Sequence, residues 1–265
     1  MSNEQKKYIN KYRFNKLLIL FIQFIIVILF IGLWEYLSNN NIINSFIFSS
    51  PSKVINTICD LYKSNELFKH IFITLFETII AFGIGMVISI VLSIILYLYN
   101  FIYKVLDPFI TAINSLPKVA LGPMIIIVAG ANMKSVILMA ILINVIVSTI
   151  VITNSFYNTD KIRIKLLKSY KASKYQILKY LVIPSSINDI ISSFKLSISM
   201  SLIGVISGEF LVSSAGIGYL IIYGTQVFNL DLVLSGIVIL LIMSYMLYYL
   251  VLSFEKYINK KNRNV

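Results

Sequence analysis

Six stretches of this chain are apolar on all sides, and each is long enough to cross a bilayer, which takes about 20 residues. Many of their residues are Ile, Val and Phe, which favour strands in water. The hydrocarbon core has no water to satisfy the backbone, so these runs are expected to be helical. The pattern predicts an all-α polytopic membrane protein with six transmembrane helices, at 17–37, 72–98, 107–129, 135–156, 188–211 and 231–253.

Composition supports this class. The chain of 265 residues is 58% hydrophobic and only 13% charged, whereas soluble domains carry about 25% charged residues. We expect a single transmembrane domain spanning 1–265, with its core at 70–253, because no long polar segment is present to fold separately. The first apolar run is longer than the hydrophobic part of a signal peptide, so it is predicted to be a retained span.

The net charge of +12 is distributed as a topology signal and does not indicate nucleic-acid binding. With six spans, both termini lie on one side. That side, together with the segment 160–186, would hold 17 of the 23 Lys and Arg residues. The positive-inside rule therefore predicts that both termini and the segment 160–186 are cytoplasmic.

The sequence offers little material for bond chemistry. None of the 11 glycines is followed by Lys, which excludes a Walker A loop. One His and one Cys cannot form a zinc site by themselves. We therefore predict no catalytic residue, no metal site and no cofactor. If the protein moves a solute uphill, the energy comes from a partner or from an ion gradient.

The segment 160–186 is basic and amphipathic, and it contains no apolar run long enough to cross the membrane. Two hypotheses fit it: a helix lying on an anionic membrane surface, or a docking helix for a cytoplasmic subunit. Within it, Ser173 is a candidate N-cap for 174–182, and Pro184 is predicted to end that helix.

Several small or polar residues fall within the predicted spans. Gly204 and Gly208 form a stripe with serines on the fifth span, which predicts either close helix packing or a pore lining. Lys118 beside Asn114 is either functional or reaches toward the interface. Glu209 is either part of an outer gate or simply a helix end. The residues assigned to a translocation path or gate are Asn114, Lys118, Ser197, Ser201 and Glu209.

The run Ser169 to Gln176, followed by Ile183-Pro184, resembles the "EAA" loop of ABC-importer permeases, in particular the branch that handles nitrate, sulfonate and taurine. Other segments are similar to family motifs in the same order along residues 48–253. They are Ser50-Pro51-Ser52, Leu106-Asp107-Pro108, Ser115-Leu116-Pro117, Ala120-Leu121-Gly122-Pro123, Gly208-Glu209-Phe210-Leu211 and Gly216-Ile217-Gly218-Tyr219-Leu220.

The chain departs from the family pattern at three places. The family's Glu-Ala-Ala falls on Lys165-Leu166-Leu167, its characteristic Gly falls on Lys171, and an Arg common in the second span falls on Glu77. Replacing Gly by Lys removes a flexible backbone point and adds a charge. Lys171 is therefore interpreted either as a partner for an acidic group on an unusual ATPase or as a sign of weakened coupling.

The resemblance implies a cytoplasmic coupling helix between spans four and five. It also implies two cytoplasmic ABC ATPase subunits, a second permease copy, an extracellular substrate-binding lipoprotein and a bacterial plasma-membrane location. By resemblance, the ATPase-coupling residues are Lys168, Ser169, Tyr170, Lys171, Ala172, Ser173, Lys174 and Tyr175.

The cargo expected from the resemblance is a sulfonate, taurine, nitrate or a thiamine-precursor pyrimidine. The main alternative is a secondary transporter driven by an ion gradient, which would need polar sites at the midplane and often has an inverted repeat. An intramembrane enzyme and a scaffold protein are further alternatives.

Overall fold

The computed structural model describes residues 3–40 and 42–262, and this part of the chain is helical without any strand. The helices are α1 (Asn3–Asn39), α2 (Ser45–Phe48), α3 (Pro51–Lys63), α4 (Glu66–Leu98), α5 (Asn100–Ser115), α6 (Gly122–Ala129), α7 (Met133–Tyr157), α8 (Lys161–Ser169), α9 (Lys174–Ile177), α10 (Ile183–Val212), α11 (Ile217–Gln226) and α12 (Leu230–Asn262).

Five of the described helical segments are long and apolar enough to cross a membrane, and a bent pair raises the number to six. The predicted all-α membrane fold is confirmed. The segments that pass on length and composition are Phe14–Asn39, Glu66–Leu98, Met133–Tyr157, Lys174–Val212 and Leu230–Lys256, together with the pair Asn100–Ser115 and Lys118–Ala129.

The third predicted span is not one straight helix. α5 and the helical segment after it meet at an angle of 97°. Leu116 takes an extended conformation (φ −70°, ψ 144°), as expected for a residue before proline, and Pro117 has no N–H with which to continue the helix. A 3₁₀ turn (Lys118–Leu121) then leads into α6.

The prediction that Pro184 ends a helix was wrong, because one helical segment runs from Lys174 to Val212. The missing N–H of Pro184 is accommodated by a π turn at Leu178–Val182, in which the Ile183 N–H bonds to the Leu178 carbonyl oxygen. Such π turns replace the ordinary bonding of one turn and let the helix continue. The N-terminal end of the fifth span is thereby continuous with α9.

The pair Ser50-Pro51 combines a residue that can cap a helix with a proline suited to the first turn, and the short helix α3 begins there. Ser50 is its N-cap and accepts a hydrogen bond from the Lys53 N–H at 3.3 Å, with Pro51 in the first turn. α1 contacts mainly α2 and α3, so its apolar span is exposed along its length in a single subunit.

The bundle is centred on α7, which packs between α4 and α10. Asn144 of α7 is fully buried and bonds to both neighbours. Its Nδ2 donates to the Ala81 carbonyl oxygen of α4 at 3.4 Å, and its Oδ1 accepts from Ser197 Oγ of α10 at 2.5 Å. A polar residue in an apolar span therefore joins three helices here.

Candidate functional site

The 160–186 loop lies at one end of the bundle and consists of two helices joined by a tight turn. Asp160 caps α8 by accepting a hydrogen bond from the Ile162 N–H at 2.8 Å. α9 begins at Lys174 and continues into the π turn and α10. The amphipathic segment is therefore a helix–turn–helix whose bend falls on residues 170–173.

The turn at the end of α8 has the bonding of a Schellman motif. The Lys171 N–H bonds to the Lys168 carbonyl oxygen at 2.9 Å, and the Ala172 N–H bonds to the Leu167 carbonyl oxygen at 3.1 Å. This motif requires a left-handed residue, usually Gly, and Lys171 has φ +57°. The family's Gly thus falls on a position where the backbone favours Gly, and this chain uses Lys there.

The start of α9 is fixed by a capping box. Ser173 Oγ accepts from the Gln176 N–H at 3.3 Å, and Gln176 Oε1 accepts from the Ser173 N–H at 2.7 Å. Two N–H groups at the helix start are satisfied reciprocally. The predicted capping role of Ser173 is confirmed.

The inner side of the loop is anchored to the bundle. Leu167 and Ala172 pack against a buried cluster that includes Phe156 of α7. Lys174 Nζ donates to the Leu98 carbonyl oxygen at 3.4 Å, at the end of α4, where a helix favours a cation. A displacement of the loop is therefore transmitted to α4, α7 and α10, whose residues form this cluster. The buried members of the cluster are Met86, Ile152, Phe156, Ile177, Leu178, Val182 and Ile190.

The outer side of the loop carries most of the residues assigned to coupling. Ala172 is the exception, because it is half-buried on the inner cluster. Tyr170 and Tyr175 are 76% and 63% exposed, and Tyr is one of the residue types enriched among those that contribute most to binding energy at interfaces. The exposed coupling residues are Lys168, Ser169, Tyr170, Lys171, Ser173, Lys174 and Tyr175.

Replacing Lys171 with Gly is expected to stabilise the turn by about 0.5–1 kcal/mol, because a left-handed conformation is costly for residues with a Cβ. Amide hydrogen exchange of residues 169–173 should slow accordingly. Lys171→Ala is the matched control, since it removes the same charge but keeps the strain. Equal exchange rates in the two variants would refute the backbone explanation.

The residues assigned to a path or gate differ in their exposure. Asn114 and Lys118 sit at the bend after α5, where both are partly exposed and Lys118 Nζ donates to the Asn114 carbonyl oxygen at 3.0 Å. In contrast, Ser197, Ser201 and Glu209 are 0% exposed. In this conformation those three side chains are packed against other groups of the protein. Their burial therefore does not support their assignment to a translocation path.

Gly204 and Gly208 face α7 at close range. A Cβ on Gly204 would lie 2.5 Å from Cα of Ala140, and one on Gly208 would lie 2.9 Å from Cα of Val136. Real Cβ atoms are not found so close to a backbone, so any larger residue would push α7 and α10 apart. The stripe brings these two helices into contact within the subunit.

Sequence reasoning missed a polar cluster at the other end of the bundle. Glu209 Oε1 accepts from Thr74 Oγ1 at 2.7 Å, and His70 Nδ1 accepts from the Gly216 N–H at 2.9 Å. Glu77 is buried beside Glu209. The available signal was the spacing of His70, Thr74 and Glu77, which puts them on one face of α4.

Comparison with known proteins agrees with this architecture. Residues 81–264 match the family model described as binding-protein-dependent transport system inner membrane component. A probable ABC transporter permease protein of Haemophilus influenzae is 25% identical over 85% of this chain and 91% of its own length. The riboflavin transport system permease protein of Chloroflexus aurantiacus is 30% identical over 78% and 77% of the two chains.

A putative aliphatic sulfonates transport permease protein of Bacillus subtilis is 21% identical over 79% of this chain and 76% of its own length. Among solved structures, an inward-facing MetNI methionine ABC transporter chain aligns with a TM-score of 0.63 at 15% identity, covering 73% of this chain and 96% of that one. This structural likeness concerns the fold alone. The resemblance drawn from the loop motif is confirmed, and the chain belongs to the family of inner-membrane components of binding-protein-dependent transport systems, as a membrane-spanning permease.

Proposed function

We propose that this chain is the transmembrane subunit of an ABC importer that moves a small organic or anionic nutrient into the cell, with ATP hydrolysed on separate ATPase subunits. The observation that carries this proposal is the 160–186 loop. Its inner side is bonded to the bundle, and its outer side is free, basic and aromatic. A surface of this kind suits transmission of force from a partner.

We infer that the ATPase partner presents an acidic groove to the loop. Lys165 stands where the family has Glu, and Lys168 and Lys171 are also on the exposed side. Opposite charges on the partner would speed association and fix its orientation. The affinity of the ATPase for the permease is then expected to fall as ionic strength rises.

Closure of the ATPase pair would move the loop as a rigid body. Because Leu167 and Ala172 pack on a cluster shared by α4, α7 and α10, the displacement would tilt these helices together. Packed elements that move as units are the usual basis of alternating access. Both termini and the loop would then face the cytoplasm, on the strongly basic side of the chain.

The passage is proposed to lie between two copies of the permease, beside the bend that holds Asn114 and Lys118. An extracellular substrate-binding lipoprotein would select the cargo. Of the expected cargoes, a sulfonate, taurine and a thiamine-precursor-like pyrimidine are supported by the names of relatives, whereas nitrate rests on the motif resemblance alone. Few specificity residues are then needed in the permease itself.

Uptake by reconstituted vesicles tests this function. Vesicles that contain the permease, its ATPase and the binding protein are expected to accumulate the cargo when ATP is supplied inside the compartment that holds the ATPase. An ATPase variant that binds but does not hydrolyse ATP serves as the control and should give no uptake. Accumulation driven by a proton or sodium gradient in vesicles with the permease alone would favour a secondary transporter.

A further inference from the structure

Two glutamates meet inside the bundle at the end opposite the 160–186 loop. Glu77 of α4 is 1% exposed and Glu209 of α10 is 0% exposed, and their side chains are hydrogen-bonded to each other. Among the described residues, neither carboxyl group takes part in an ion pair. Two buried acids without a counter-ion need another explanation for their stability.

Glu209 is surrounded by groups that donate hydrogen bonds. Its Oε1 accepts from Thr74 Oγ1 at 2.7 Å, and its Oε2 accepts from the Gly218 N–H at 2.5 Å. Thr74 Oγ1 itself accepts from the Ile217 N–H at 2.8 Å, so its own proton is directed to Glu209. Both oxygens of Glu209 therefore act as acceptors, which is the pattern of a carboxylate.

The start of α11 favours one negative charge at this position. The Gly218 N–H and the Tyr219 N–H both point to the Glu209 carboxyl group. These groups belong to the first turn of a helix of 10 residues, where unpaired N–H groups and the helix dipole attract an anion.

Glu77 has the opposite pattern. Two carboxyl groups form a hydrogen bond only when one of them carries a proton. Since both oxygens of Glu209 already accept from other donors, the proton belongs to Glu77. Glu77 Oε2 is buried and has no partner, which is far less costly for a neutral acid than for an ionised one.

Nearby titratable groups do not supply a positive charge. His70 Nδ1 accepts from the Gly216 N–H, which leaves its ring proton on Nε2, directed to Glu66 at 3.0 Å. The imidazole is therefore neutral in this arrangement. Lys69 also lies against Glu66, with its side chain 57% exposed.

We propose that Glu77 is a protonated carboxylic acid that donates its proton to the Glu209 carboxylate, and that this bond links α4 to α10 beside the bond from Thr74 to Glu209. The proton takes the place that a cationic side chain or a bound metal ion would otherwise fill. The proton stabilises the end of the bundle opposite the 160–186 loop, while the end that carries the loop moves with it.

Infrared spectroscopy of the purified full-length permease tests the proposal. A carboxylic-acid C=O stretching band that shifts in D₂O is expected at neutral pH, and it should be absent from Glu77→Gln. The detergent must lack ester groups, because ester carbonyls absorb in the same region. Glu255→Gln is the matched control, since Glu255 pairs with Lys195 at 2.7 Å and contributes no acid band.

Thermal unfolding gives a second readout. Glu77→Gln should keep the melting temperature close to that of the wild type, because the amide N–H still donates to Glu209, whereas Glu77→Leu should lower it clearly. Absence of the acid band in the wild type, or its persistence in Glu77→Gln, would overturn the proposal. A melting temperature that depends on added Na⁺ or K⁺ would also overturn it, because it would indicate a bound cation.

Discussion

Replacing both Tyr170 and Tyr175 with alanine is expected to abolish the stimulation of ATP hydrolysis by the loaded binding protein. Each side chain is largely exposed at the outer side of the 160–186 loop. Aromatic side chains at the centre of an interface commonly contribute about 2 kcal/mol or more each. Loss of both would weaken ATPase binding by roughly three orders of magnitude, since about 1.4 kcal/mol corresponds to a factor of ten.

Tyr180→Ala is the matched control for this experiment. Tyr180 is 67% exposed, similar to the other two tyrosines, but it lies on the π turn beyond the loop tip. Affinity is measured by titrating purified ATPase onto the permease in lipid nanodiscs. If the control and the double variant lost the same amount of affinity for the ATPase, Tyr170 and Tyr175 would not be part of the interface.

Replacing Gly204 with valine is expected to cause a large loss of stability. Its Cβ would lie 2.5 Å from Cα of Ala140, so α7 and α10 would have to separate. Overpacking of this kind costs about 1–3 kcal/mol, which corresponds to a fall of roughly 2–12 °C in melting temperature for a protein of this size.

Gly83→Val provides the comparison. Gly83 lies in the helix interior of α4, and a Cβ there would meet nothing within 4 Å. Its melting temperature in detergent should stay within about 2 °C of the wild type, as for other substitutions without new contacts. If the two variants unfolded at the same temperature, the close approach of α10 to α7 would not account for the role of Gly204.

Local features of the fold followed well from the sequence. The apolar runs predicted the spans because backbone satisfaction in lipid leaves helix as the only choice for these segments. Ser50-Pro51 and Ser173 marked helix starts because their side chains bond to N–H groups three residues away. These interactions are local, so residue type and spacing are sufficient to predict them.

Two kinds of feature did not follow from the sequence: contacts between residues far apart in the chain, and local backbone changes that accommodate an unfavourable residue. Pro184 was expected to end a helix, but a π turn absorbs its missing N–H. The bond between Thr74 and Glu209 joins residues 135 positions apart, and no spacing rule predicts it. The left-handed backbone of Lys171 was signalled only by the Gly that the family has at that position.

Cross-linking at the loop tip tests most directly the claim that the 160–186 loop receives the ATPase. Tyr175→Cys is introduced after the exposed native cysteine has been removed by Cys59→Ser, and a thiol-to-amine cross-linker is added to vesicles holding the complete transporter. We expect a covalent product between permease and ATPase, together with loss of ATP-driven uptake that reverses when the linker is cleaved. If no such product formed while uptake remained ATP-driven, the loop would not be the docking surface.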